Sequence, residues 1–228
     1  MQNQPMIVEG TNLKTGFDAF IFDLDGTLLD TLPDLVVTVN KTLESMEYPL
    51  RSKEEILSFV GDGGRALMAR ALPLGCEQEV IEEAFLLFKA NYDKYGLCLT
   101  QEFEGITHVL TQLKNKGKKV AVLSNKFDKG VQDVVSHFFP ELINVAHGES
   151  EFIPRKPDPT GLNRIMEELG VFPYQTVFFG DSAGDMKTAN NAGVYGVGCL
   201  WGYQSKERIE TENPQALITN PLQIVEFA

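Results

Sequence analysis

Basic side chains are in short supply in this chain of 228 residues: 20 Lys and Arg stand against 32 Asp and Glu, a formal net charge of −12. Nucleic acids and anionic membranes require a coherent positive field, so neither is an expected partner. Cysteine is equally sparse. Cys76, Cys98 and Cys199 are odd in number, widely spaced and without a C-x-x-C pair, which indicates neither a disulfide framework nor a zinc site. All three are expected as buried, reduced thiols. The three histidines, His108, His137 and His147, lack the spacing of a metal cluster. No apolar run reaches about 18 residues, and no charged-then-apolar signal region opens the chain, so a cytoplasmic protein of small-molecule chemistry is expected. Internal repeats and low-complexity segments are lacking too, and residues 1–15 read as a loose lead-in.

What is present is a hydrophobic fraction of 43%, enough for a core domain with a smaller companion. Strand character recurs at 17–22, 119–123, 176–179 and 194–197, with weaker runs at 142–146 and 216–218. The near-continuous apolarity of Val120–Leu123 and Val177–Phe179 predicts strands buried on both faces, as in a parallel sheet covered by helices. About a hundred residues separate the first two strands, far more than one crossover helix needs. Helical patterning at 32–46, 53–59, 65–72 and 77–95 fills that gap. The expected fold is therefore α/β: a Rossmann-like, doubly wound parallel sheet formed by 1–31 and 103–228, with an all-helical cap inserted at 32–102. Thr31 is the expected N-cap of the first cap helix, with Pro33 in its first turn and Asp34 three residues on.

Chemistry concentrates where the strands end. Asp23 and Asp25 lie two positions apart as an apolar strand gives way to Gly26, at the sheet edge where open α/β folds bind ligands. Ser124 and Asn125 leave the second strand, and Ser124 is placed to serve a ligand, a helix N-terminus or both. Lys126 beside them reads as solvated. Lys156 sits in a stiff Arg-Lys-Pro-Asp-Pro loop, where Asp158 is a plausible cap. Asp181 follows the third strand, with Asp185 four residues later at a helix start that also favours a carboxylate.

In this order the four segments, Asp-x-Asp-Gly-Thr-Leu, Ser124, Lys156 and Gly-Asp-Ser-x-x-Asp, resemble the haloacid dehalogenase superfamily over nearly all of the core. The resemblance implies phosphoryl transfer: Asp23 as nucleophile, forming an aspartyl phosphate, and Asp25 as acid and base, partly protonated when needed. The superfamily's dehalogenases lack the second aspartate. Two unit charges near 4 Å repel by about 4 kcal/mol at an effective dielectric of 20, so an attacking carboxylate and a phosphate need a cation between them. Mg2+ is the implied cofactor, held by Asp23, the backbone carbonyl of Asp25 and Asp181, with Asp185 orienting its waters from behind. Ser124 and the Asn125 N–H would hold the phosphoryl group, and Lys156 would bridge it to Asp23.

The glycines of Gly61-Asp62-Gly63-Gly64-Arg65 leave two roles open: Gly63, Gly64 and Arg65 either reach the substrate as a specificity loop or make a tight helix connection. Within the superfamily, the short helical cap, Leu-Pro-Asp-Leu after the first motif, the Gly-rich cap loop before Ala-Leu-Met-Ala-Arg-Ala-Leu, and Ser-Asn-Lys most resemble bacterial phosphoglycolate phosphatases, although threonine is more familiar where Ser124 stands. The expected partner is a small phosphorylated metabolite, handled by a monomer or homodimer. A sugar phosphomutase of the β-phosphoglucomutase type is the alternative enzyme, and a phospho-accepting switch the alternative of another class. Trp201 and Tyr203 are expected to pack at the sheet edge.

Overall fold

A computed structural model describes residues 14–228; the expected lead-in over 1–15 lies almost wholly outside the described residues. From the N-terminal side, β1 (Ala19–Phe22) turns into a two-residue strand β2 (Leu29–Asp30) and then four helices: α1 (Leu32–Ser45), α2 (Lys53–Phe59), α3 (Gly63–Ala71) and α4 (Gln78–Tyr95). Strand β3 (Gln101–Glu102) brings the chain back. There follow α5 (Ile106–Asn115), β4 (Lys119–Phe127), α6 (Asp128–Phe138), β5 (Val145–Glu149) and α7 (Thr160–Leu169). β6 (Thr176–Gly180), α8 (Ala183–Ala192), β7 (Tyr195–Cys199), α9 (Lys206–Glu210) and β8 (Ala216–Ile218) come next, and a 3-10 helix over Pro221–Phe227 closes the chain.

Six strands form one parallel sheet in the order β5-β4-β1-β6-β7-β8. Alternation along each strand assigns side chains to two layers. Phe20 and Phe22 pack with Val120, Val122, Val177 and Phe179 on one face, while Ile21 joins Ala121 and Phe178 on the other. Full burial of one such side chain contributes about 2 kcal/mol, so both faces favour the sheet. Because β4 and β5 extend from one side of β1 and β6 to β8 from the other, the winding reverses beside β1. Ligands bind outside the strand ends at such a point.

Two strands depart from expectation. β4 runs on through Phe127, with a register irregularity after Leu123, so Ser124, Asn125 and Lys126 are carried inside the strand rather than beyond it. Gly148 of β5 permits this, since a Cβ there would fall 2.5 Å from the Lys126 carbonyl oxygen. The weak strand expected at 142–146 forms three residues later. Burial also divides the cysteines: Cys199 is buried, but Cys76 is partly exposed and Cys98 exposed. Cys98 lies in the loop after α4, outside any core, which corrects the expectation of three buried thiols.

The four helices between β2 and β3 share their own apolar cluster, built on Val39, Leu43, Ile56, Met68, Ala84 and Phe88. Two crossings connect them to the sheet, and these pair with each other as an antiparallel ladder, Leu29 opposite Glu102 and Asp30 opposite Gln101. Asp34 reinforces the junction. Fully buried, its carboxylate accepts from Leu99 N at 2.9 Å, Thr100 N at 2.8 Å and the Thr100 hydroxyl at 2.7 Å. It therefore clamps the returning crossing instead of completing a box with Thr31, whose side chain makes no cap hydrogen bond. Replacing Asp34 by Ala strands these donors, and we expect a loss of about 3 kcal/mol in urea unfolding; a change below about 0.5 kcal/mol would rule out the clamp.

Candidate active site

After β1 the backbone turns sharply: Leu28 and Leu29 N–H groups both donate to the Leu24 carbonyl, and Gly26 N donates to Leu29 O. Asp23 stays tied to the sheet through its N–H to Phe179 O at 2.8 Å, while Asp25 leaves with the turn. Gly26 is required here. Its φ is +90°, and a Cβ would lie 2.4 Å from Asp181 Oδ2.

Lys156 joins the acidic segments. Its buried ammonium lies 2.7 Å from Asp23 Oδ1 and 2.6 Å from Asp185 Oδ1. Its loop is tied to β4 through Lys156 N, which donates to Asn125 Oδ1 at 2.7 Å. Asp185 meets the expectation of a helix-start carboxylate. Its Oδ2 accepts from Ser182 N at 3.0 Å in a capping box at the start of α8, while its Oδ1 faces Lys156. Asp181 is fixed by the Thr27 hydroxyl at 3.1 Å and by Tyr203 N at 2.7 Å. Gly180 and Gly202 let neighbouring chain approach, since a Cβ on either would fall 2.3 Å from a Cβ of Asp185 or Asp181.

Electrostatics show a surplus of negative charge. Burial first, then the charge of Asp185, with Asp181 adding, raises Asp23 well above the usual carboxylate range against the pull of Lys156. Burial and Asp185 push Asp181 up to about 7, despite the Tyr203 and Thr27 hydrogen bonds. For Lys156, burial opposes the charged form but Asp185 and Asp23 outweigh it, and its pKa is raised.

Asp25 has different company. Its Oδ1 accepts from the Thr31 hydroxyl at 2.6 Å and from Lys126 Nζ at 2.8 Å, and its Oδ2 from Ser124 Oγ at 3.4 Å. Burial would raise Asp25, but the Lys126 charge and the Lys126 and Thr31 hydrogen bonds prevail and lower it. The Asp25 carboxyl is thus held below the usual carboxylate range by Lys126 and Thr31. Lys126 is not solvated as expected; its side chain is 5% exposed. Ser124 does not cap a helix either, because β4 continues to Phe127 and α6 starts only at Asp128. Asp158 stands one residue before the N-cap position, Pro159, yet accepts from Thr160 N at 2.9 Å.

Tyr203 is the residue that local sequence pattern did not reveal. Its hydroxyl accepts from Thr31 N at 2.8 Å and Leu32 N at 2.9 Å, filling the N-cap role at α1, and contacts Asp30 Oδ1 at 3.1 Å. Edge packing does describe Trp201, which donates to Thr27 O at 3.0 Å. Tyr203 instead joins the Asp181 loop to the first crossing. No motif announces this, because the two ends of the contact are 172 residues apart.

The Gly61–Arg65 loop divides between its two expected roles. Gly63 and Gly64 line a cleft of about 540 Å³ that also reaches Asp23, Asp25, Ser124, Lys156 and Asp181. Arg65 does not line it. Its guanidinium pairs with Glu82 and lies 4.8 Å over the Phe85 ring, which makes it a tie between α3 and α4 and corrects its place in the specificity loop. The loop meets the sheet through its backbone: Asn125 Nδ2 donates to Gly61 O at 2.8 Å and Arg155 to Asp62 O at 2.6 Å.

The acidic group suits a hard cation. Asp23, Asp181 and Asp185 each offer a carboxylate oxygen, all within 4.8 Å of one another. Asp23 Oδ1 is buried and, although close to Lys156, has no aligned hydrogen-bond donor. Oxygen donors with surplus charge and an unsatisfied buried atom are what a divalent metal resolves.

Comparison with known proteins agrees with this geometry. The family model for haloacid dehalogenase-like hydrolases matches residues 20–199. A phosphoglycolate phosphatase of Vibrio cholerae is 34% identical over 85% of this chain and 88% of its own. One from Pseudomonas putida is also 34% identical, over 87% of this chain and 75% of its own. A crystal structure from Haemophilus somnus, described as a predicted phosphoglycolate phosphatase, superposes with a TM-score of 0.86 at 27% identity, covering 93% of this chain and 98% of that one. Fold, buried acids and sequence likeness together place this chain among the haloacid dehalogenase-like hydrolases.

Proposed function

We propose that this hydrolase is a magnesium-dependent phosphatase that cleaves 2-phosphoglycolate to glycolate and phosphate. The observation that carries the reading is the buried Asp23–Lys156–Asp185 chain with Asp181 beside it: one carboxylate held at the cleft by an ammonium, in a group short of positive charge. The similarity to phosphoglycolate phosphatases supplies the substrate.

In this reading Asp23 attacks phosphorus and forms an aspartyl phosphate as the alcohol leaves. Asp25 gives the departing oxygen a proton, and its lowered pKa favours the second half-reaction, in which it takes a proton from incoming water. Lys156 counters charge on the phosphoryl oxygens, assisted by the Ser124 hydroxyl and the Asn125 N–H. Asp23, Asp181 and the Asp25 carbonyl would hold Mg2+, with Asp185 behind them. When bound, the ion would offset repulsion between Asp23 and the phosphate. Residues 1–31 and 103–228 serve as the core domain, and 32–102 as a cap that closes over the cleft on the two crossings.

Two measurements test this. Phosphate release with magnesium should favour 2-phosphoglycolate over sugar phosphates, nucleotides and pyrophosphate, and Asp23→Asn should reduce it by on the order of a thousandfold or more. Activity surviving in the variant would overturn the nucleophile; conversion of a hexose 1-phosphate to its 6-phosphate without free phosphate would favour the mutase. Separately, excess Mg2+ should raise the thermal unfolding midpoint by about 3–6 °C, and Asp181→Asn should remove most of that rise. No rise in the parent protein with magnesium or manganese would count against the metal site.

A further inference from the structure

Lys126 is a buried cation that the hydrolytic steps above leave without a task. It lines the cleft at the side of Asp25, with Tyr92 of α4 also lining that space. Its Nζ lies 4.7 Å over the Tyr92 ring and bonds Asp25 Oδ1 at 2.8 Å. An ammonium has three N–H donors, and among the described residues Asp25 and Tyr92 are the side chains this one meets, which leaves donor capacity toward the cleft. Asp25 is already served by the Thr31 hydroxyl. The Tyr92 hydroxyl, buried on a residue only 4% exposed, has Lys126 as its polar neighbour and no well-aligned partner beyond it among the described residues. Core and helical layer thus bring an ammonium and a phenol together at the same end of the cleft.

The position of that end limits what can occupy it. If Asp25 protonates the leaving oxygen, the organic part of the substrate sits at Asp25, and Lys126 touches Asp25 directly. In a 2-hydroxy acid the carboxyl carbon is two bonds from the ester oxygen. A carboxylate at that spacing can reach the ammonium that bonds Asp25, whereas a longer acid would overshoot it.

We propose that Lys126, assisted by Tyr92, is the specificity-determining site for a carboxylate on the leaving group, selecting phosphate esters of short 2-hydroxy acids. This rests on the phosphatase reading for the placement of the leaving group. A lysine held between a carboxylate and an aromatic ring, with an N–H to spare toward the cleft, provides a charge-assisted contact that a neutral alcohol cannot exploit.

Binding to Asp23→Asn with magnesium, measured by calorimetry, isolates this site from turnover. The matched ligands are 2-phosphoglycolate and ethyl phosphate, which differ by the carboxylate. On the Lys126 protein the acid should bind about tenfold more tightly; adding Lys126→Met should shrink the preference to less than about twofold. Tyr92→Phe keeps the ring and should shrink it about threefold, which guards against Lys126→Met failing to fold. Equal affinity for both ligands in the Lys126 protein, or an undiminished preference in both variants, would overturn the site. Failure of the parent protein to release phosphate, with the binding preference intact, would overturn the phosphatase reading and leave the carboxylate site standing.

Discussion

Asp23, Asp181 and Asp185 are buried around one ammonium, that of Lys156, and three acids against one base leave the group deficient in positive charge. Burying an ion without compensation is among the most expensive events in folding, so the surrounding chain is organised to make this burial tolerable. Backbone and hydroxyl donors from Tyr203, Thr27 and Ser182 are aimed at Asp181 and Asp185. Glycines at 26, 180 and 202 let the loops come close enough to enclose the acids. Each of these features would be wasted on an exposed carboxylate. Together they produce a rigid arrangement whose remaining deficit is electrostatic, which is how a site becomes receptive to a cation and to a reaction that moves negative charge.

A second dependence runs through the hydroxyl of Tyr203. By accepting the first N–H groups of α1, it relieves Thr31 of the cap role assigned by local pattern. Thr31 can then donate to Asp25, and Asp34, with no capping box to complete, can hold Leu99 and Thr100. One distant phenol therefore changes the work of two residues at the start of α1. Local capping rules describe the donors correctly but cannot foresee that an acceptor arrives from another part of the chain.

That contrast marks what was legible in the sequence. The buried strands were readable because apolar continuity in Val120–Leu123 and Val177–Phe179 has few explanations other than a covered sheet. The four helices of the insert were readable from periodicity, and α2 has the expected bounds, Lys53–Phe59. Asp23, Asp181 and Asp185 were readable because each follows a strand or begins a helix, where direction is dictated by the backbone, whereas Lys156, in mid-loop, was legible only through the ordered set of motifs. Arg65 and Lys126 were misjudged for a shared reason. A long flexible cation goes where its counter-charge is, and Glu82 and Asp25 become its neighbours only through tertiary packing. The continuation of β4 past Leu123 was hidden similarly, since the glycine that permits it lies on β5.

The short ladder between β2 and β3 has a consequence for how such a molecule can change. Paired strands lie about 5 Å apart, so the helical segment departs from the sheet and returns at nearly the same spot. An insertion whose ends meet in this way asks little of its host, because the host's own path is almost continuous without it. The five acids and bases at the strand ends, Asp23, Asp25, Lys156, Asp181 and Asp185, all lie outside that segment. Helices between the two crossings can be lengthened, exchanged or reshaped while the reacting groups keep their supports, so new substrates are open to this architecture without new chemistry.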